Sequence, residues 1–140
     1  MIMFEHANLV VSDIDRTLVF LRAAFPDWKV RGKGSSDWYG KPRNWVHFGT
    51  SDNYLTLNDH GEGENRDLKG HSTGLAHLGF AVDDLAGLIS RLDKTGFQPH
   101  LQGEDNQFRR NAYFIDPAGF EFEFVQYFSD IAAERNLYDQ

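Results

Sequence analysis

The 140-residue sequence contains no cysteine, so disulfides, thiolate metal ligands and a thiol nucleophile are all excluded. It lacks a basic excess as well: the formal net charge is −7, the opposite of the basic face expected for nucleic-acid binding. No apolar run approaches the roughly eighteen residues a membrane-spanning helix requires. The N-terminus lacks a basic segment followed by an apolar one, so a secretory leader is not expected and cytoplasmic residence is the default. What the chain has in quantity is aromatic bulk, with twelve Phe, five Tyr and three Trp. At this length one domain is the simplest expectation, with about two-thirds of the unfolded surface buried on folding.

The stretch "FEHANLVVSDID" (4–15) has a later echo in "LAHLGFAVDDLA" (75–86). Each places a histidine early in an apolar run and an aspartate seven residues on: His6 with Asp13, His77 with Asp84. Alternation predicts a strand over 4–11, with Leu9 and Val11 on one side and His6, Asn8 and Val10 on the other. Asp13 then caps a helix carrying Ile14, Leu18, Leu21 and Phe25, ended by Pro26 and Asp27. A short strand follows at Trp28–Arg31, a Gly-rich loop at 32–43, and strands near 44–49 and 53–58. The second half repeats the order. Asp84 caps a helix carrying Leu85, Ile89 and Leu92, stopped by Gly96. Strands near 97–101, 110–115 and 120–126 follow, the last two joined by the turn Asp116-Pro117-Ala118-Gly119.

The expected fold is therefore α+β: two βαβββ modules, 4–58 and 75–127, joined by a polar linker at 59–74, with a tail or short helix over 128–140. A unit this small cannot cover its own sheet, so the two modules are expected to share one domain.

Along the closing strand of the second half, Phe120, Phe122 and Phe124 share one face, and Glu121, Glu123 and Val125 share the other. In the first half, Leu55 and Leu57 oppose Tyr54, Thr56 and Asn58. The faces away from the apolar side thus carry His6, His77, Glu123 or Thr56, beside the small residues Gly79 and Ala81. Singly, a strand histidine is most often a hydrogen-bonded residue, and a strand glutamate most often faces water. At matching places in a duplicated unit, two histidines and a carboxylate form the donor set of a three-ligand metal site with open coordination positions.

The early "H…V.D" of each half and the closing "DPAGFEFEF" resemble the vicinal oxygen chelate superfamily over residues 4–126. That superfamily includes glyoxalase I, bleomycin-resistance proteins, fosfomycin-resistance enzymes and extradiol dioxygenases. The resemblance implies paired βαβββ modules forming a cup of curled mixed sheet around a divalent metal, with His6, His77 and Glu123 as ligands. A fourth ligand position falls at Thr56, where glyoxalase I has a glutamate. Three ligands resemble the iron(II) or manganese(II) enzymes, with zinc or nickel as the alternatives. Tyr113, ten residues before Glu123, is similar to the tyrosine of the extradiol dioxygenases. The histidine that stands several residues before that tyrosine has no counterpart in "GEDNQFRRNAY".

Of the adjacent Arg109 and Arg110, one must share the metal-bearing face and could hold an anionic substrate group. The implied function is a metal-dependent enzyme acting on a small molecule through two neighbouring oxygens, extradiol-dioxygenase-like or glyoxalase-like. The alternative is a metal-free sequestering protein of the bleomycin-resistance type. A homodimer is expected from the same resemblance.

Overall fold

A computed structural model describes residues 1–103 and 106–138. The last two residues of the expected tail, and two residues of the polar loop before Arg109, lie outside the described residues. The chain divides into two compact units, Met1–Glu64 and Asn65–Gln140.

The first unit runs β1 (His6–Val10), α1 (Ile14–Ala24), β2 (Lys29–Trp38), β3 (Lys41–Gly49) and β4 (Tyr54–Asn58). Its sheet has the order β1-β4-β3-β2, with β1 parallel to β4 and the other pairs antiparallel. The second unit runs β5 (Leu78–Ala81), α2 (Leu85–Lys94), β6 (Leu101–Gln102), β7 (Arg109–Ile115) and β8 (Glu121–Tyr127), then the short α3 (Ala132–Arg135). Its sheet has the equivalent order β5-β8-β7-β6, with β5 parallel to β8. The duplicated βαβββ α+β architecture is thus present in both halves. Among the described residues no helix is long and apolar enough to cross a membrane.

The repeated aspartates start the helices as expected. Asp13 accepts from Arg16 N at 3.1 Å and Asp84 accepts from Gly87 N at 2.9 Å. Each carboxylate satisfies an N–H group that the first helical turn leaves without a partner. Asp13→Ala or Asp84→Ala should each cost about 1 kcal/mol, measured by urea unfolding. A loss of only a few tenths from either would show that the helix start is held by packing instead. At the other end of α2, Gly96 takes φ +93° while Gly96 N donates to Asp93 O and Phe97 N to Leu92 O. That left-handed residue is where glycine closes a helix without steric cost.

Each helix covers the apolar face of its own sheet. Leu18, Phe20 and Leu21 are buried with Leu9, Val46, Phe48, Leu55 and Leu57 in the first unit. In the second, Leu85, Leu88 and Leu92 are buried with Ala112, Phe114, Phe122 and Phe124. Leu88 supplies the central apolar contact of α2, and Ile89, expected there, is half-buried.

The expected loop at 32–43 is a hairpin. Residues Gly32 to Trp38 pair with Lys41 to His47, leaving only Tyr39 and Gly40 as the turn, at φ +48° and +88°. Two positive φ values match the strand twist of a type I′ connection. Glycine and serine have low strand propensity, which made the segment read as a loop. The sheet tolerates them because Trp45 lies across the bare backbone, and a Cβ on Gly34 would stand 2.8 Å from its ring. The polar linker also has internal order: Arg66 donates to the carbonyls of Ser72, Asp67 and Gly70. The tail forms its short helix at Ala132, with Ile131 as the N-cap in place of the Ser-Asp pair, and Ser129 Oγ accepting from Ile131 N.

Candidate metal centre

The register of the second sheet places the chemistry. Leu78 pairs with Phe122 and Gly79 with Glu123, so His77 stands at the level of Glu121. Tyr113 pairs with Glu123 and Asn111 with Val125. His77, Gly79, Glu121, Glu123, Tyr113 and Asn111 therefore share the face opposite the buried phenylalanines.

On that face His77 Nε2 lies 3.0 Å from Glu123 Oε2, and His77 Nδ1 lies 3.6 Å from Glu121 Oε1. Asn111 Nδ2 donates to the other oxygen of Glu123, Oε1, at 3.0 Å. The edge of the Tyr113 ring meets the His77 imidazole, centroids 5.6 Å apart at 86°. Burial, and then the Glu123 carboxylate beside it, push the Tyr113 hydroxyl pKa above its ordinary value. A neutral Tyr113 therefore keeps its proton at neutral pH and is available as a hydrogen-bond donor. Gly79 leaves space over the pair, since a Cβ there would come no closer than 3.7 Å to Glu123 Oε2.

Two donor atoms about 2.1 Å from one metal ion and at right angles to each other stand about 3.0 Å apart. The spacing of His77 and Glu123 suits adjacent positions of such a shell. Among the described residues, no group of three or more His, Asp or Glu side chains is gathered as a metal site.

The register also separates the two arginines. Arg109 pairs with Tyr127 and shares the face of Tyr113, with its guanidinium 5.1 Å from the Tyr138 ring. Arg110 belongs to the face of Ala112 and Phe114, and its guanidinium lies 5.9 Å from the Phe128 ring.

Two residues of this cluster were not read as functional from the sequence. His100 Nε2 lies 2.5 Å from Glu121 Oε2, which places the Glu121 carboxylate between His100 and His77. His100 N also donates to Tyr113 O. No linear spacing connects His100 to Tyr113; they meet because the chain around β6 runs antiparallel to β7. Glu121 had a signal, the alternation with Glu123, but a second strand carboxylate ordinarily faces water.

The first sheet repeats the ladder with different side chains. His6 pairs with Tyr54, Asn8 with Thr56, and Thr56 with His47. Matched to the second sheet, His6 takes the place of His77, Tyr54 that of Glu121, Thr56 that of Glu123 and His47 that of Tyr113. Thr56 is buried and brings a hydroxyl where the second unit has a carboxylate. His6 Nδ1 lies 2.8 Å from Glu5 Oε1, and the Tyr54 hydroxyl donates to the same oxygen at 3.2 Å. Those two hydrogen bonds hold the Glu5 pKa below the ordinary carboxylate value. His6 and His47 each stack on Tyr54 with centroids 4.8 Å apart, and Trp45 lies 4.9 Å from His47. Burial, and then the Arg31 charge, lower the His47 pKa.

The fold and these side chains define a duplicated βαβββ protein with a histidine–carboxylate pair on the face of one sheet away from its buried phenylalanines. The chain belongs to the Glyoxalase/Bleomycin resistance protein/Dioxygenase superfamily, whose family model matches residues 3–124. No curated protein matches the sequence. A glyoxalase family protein from Bacillus cereus shares the fold at TM-score 0.76 and 13% identity, over 92% of this chain and 96% of that one. The fosfomycin resistance protein FosX from Listeria monocytogenes, solved with Mn(II) and a dihydroxypropylphosphonic acid, matches at TM-score 0.68 and 18% identity. That alignment covers 89% of this chain and 92% of FosX. Glyoxalase I from Zea mays matches at TM-score 0.68 and 22% identity, over 87% of this chain and 44% of the maize enzyme.

Proposed function

We propose that this protein is a divalent-metal-dependent enzyme acting on a small substrate through two neighbouring oxygens. The observation that carries the reading is the 3.0 Å approach of His77 Nε2 to Glu123 Oε2 beside the space left by Gly79. His77 and Glu123 would hold the ion together with His6, the residue at the matching place of the first module. Iron(II) or manganese(II) is favoured over zinc or nickel, because three protein ligands with a threonine at the fourth place leave more than one position open. When bound, the metal supplies Lewis-acid polarisation of the substrate oxygens.

The chain's own residues have separable tasks. Asn111 fixes the orientation of the Glu123 carboxylate through Oε1, leaving Oε2 for ligation. Tyr113, kept protonated by its surroundings, donates to a substrate oxygen. Arg109, on the same face, holds an anionic group of the substrate; Arg110 lies on the other face. Thr56 disfavours a glyoxalase I-like four-ligand shell and leaves extradiol-like or transferase-like chemistry ahead of isomerisation. The protein is proposed to work as a homodimer in the cytoplasm.

The aromatic run Trp45, His47, Tyr54 and His6 supports a second reading, a metal-free protein that sequesters a planar ligand in the manner of bleomycin-resistance proteins. Elemental analysis of protein purified without tag or chelator decides between them. Near-stoichiometric iron or manganese, absent from the His6→Ala, Glu123→Ala double variant, supports the enzyme. No metal in either protein after reconstitution supports sequestration.

Position 56 offers an independent check. Thr56→Glu places a carboxylate where the first ladder matches Glu123, and should tighten metal binding about tenfold or more, as read by chelator competition. Unchanged affinity would remove position 56 from the metal's surroundings.

A further inference from the structure

The strand pair β2–β3 carries one irregularity. Lys29 pairs with Gly49 and Val30 with Phe48, but His47 pairs with Gly32, so Arg31 is an extra residue in a bulge. Arg31 follows Val30, whose partner Phe48 is buried in the core, so it lies beside the bulge on the face that carries His6, Tyr54, Thr56 and His47. Its guanidinium carbon lies 4.1 Å from the Tyr54 ring centroid. Bulges are over-represented beside functional sites. Among the described residues no carboxylate lies within ion-pair distance of Arg31; the nearby acid is Glu5, whose pKa the Arg31 charge helps lower and whose carboxylate is taken up by His6 and Tyr54.

Of the other cations in β2 and β3, Lys29 pairs with Gly49 and is a second positive charge at the level of Tyr54, while Lys41 is ion-paired with Glu62 at the hairpin end. Lys33 pairs with Val46 and belongs to the opposite face. Arg43 shares the histidine-bearing face and stacks on Trp38, but it lies six residues along β3 from Gly49, the residue level with Tyr54 and His6. At about 3.3 Å per residue that is about 20 Å, beyond the reach of a small molecule held at His6.

We propose that Arg31 is an oxyanion-binding residue of the first module, recognising the carboxylate or phosphonate-type group of a small substrate beside His6. The proposal rests on the substrate-binding side of the function given above and is independent of the metal. A planar guanidinium with free N–H groups is suited to the two oxygens of such a group, and the Tyr54 ring beneath it restricts its conformations before the ligand arrives.

The test is titration of the full-length, metal-free protein with inorganic phosphate and, separately, benzoate, followed through the arginine Nε–H signals in 1H–15N NMR spectra. Saturable shifts of the Arg31 signal are expected, and the arm with the tighter binding identifies phosphonate-type or carboxylate recognition. Arg31→Gln should weaken that binding about tenfold or more, and Arg31→Lys should restore part of it. Arg110→Gln removes the same charge from another face and should leave it unchanged. Equal weakening by Arg31→Gln and Arg110→Gln, or no saturable binding of either anion, overturns the proposal. Far-UV circular dichroism of each variant separates lost binding from lost structure. Metal content, measured on the same preparations, reports separately: a metal-free wild type with Arg31-dependent anion binding would sink the metal centre alone.

Discussion

If the proposed metal centre is right, His77→Ala should release the metal and with it the metal-dependent part of the protein's thermal stability. A ligand bound only to the folded state stabilises it by mass action, about 2.7 kcal/mol when free metal stands at one hundred times its dissociation constant. For a domain of this size each kcal/mol is worth roughly 2–8 °C in melting temperature, so a gain of about ten degrees on metal addition should vanish in the variant. The apparent affinity should fall by orders of magnitude, because the proposed site takes one of its two closest donors from His77. The measurement is a set of melting curves with and without iron(II) or manganese(II), beside elemental analysis. Equal metal-dependent shifts in wild type and His77→Ala would remove His77 from the ligand set. Glu123→Ala should behave alike, whereas Tyr113→Phe should leave metal content intact.

The second large effect is expected at Asp116, in the turn between β7 and β8. Its Oδ1 accepts from Ala118 N and Phe120 N, while Oδ2 is buried without a partner. Burial pushes the carboxyl pKa up to about 6, against the opposing pull of the backbone N–H groups. The unfolded chain titrates near the ordinary 3.8. Between those values the folded state binds the more protons. Stability from this group is therefore greatest below about pH 4, declines as the pH rises, and levels off above about 6. Two pKa units correspond to a decline of about 3 kcal/mol. Asp116→Asn keeps an oxygen acceptor for the turn and cannot ionise, so its unfolding free energy should lose this decline. Urea unfolding of both proteins from pH 4 to 8 checks it. Parallel curves would mean that the buried oxygen is solvated in the folded protein.

Most of the scaffold could be read from residue order because the signals are local. Asp13 and Asp84 cap their helices through side-chain acceptance from N–H groups three residues away, and such short-range chemistry is written in spacing. The alternation of Phe122 and Phe124 with Glu121 and Glu123 likewise assigned faces before any pairing was known. The Gly32–Arg43 segment failed for the opposite reason. Its glycines argue against a strand by propensity, but here they clear room for Trp45, which is eleven residues from Gly34 in the chain and adjacent only through the hairpin. His100 was illegible for the same reason: its contact with Glu121 crosses twenty-one positions and depends on how two strands pair.

By itself, then, the sequence determined the repeat, the helix starts, the apolar faces and the residues eligible to be ligands, since each follows from periodicity within a few residues. Only the tertiary structure decided which eligible residues meet. Strand register brought Glu123 to His77, put Arg109 rather than Arg110 on their face, and matched Thr56 to Glu123. The pairing of β2 with β3 and of β3 with β4 brought Arg31 over Tyr54. Register and bulges are set by hydrogen bonding between distant segments, and a shift of one residue would reverse every face, so no local pattern can carry that information.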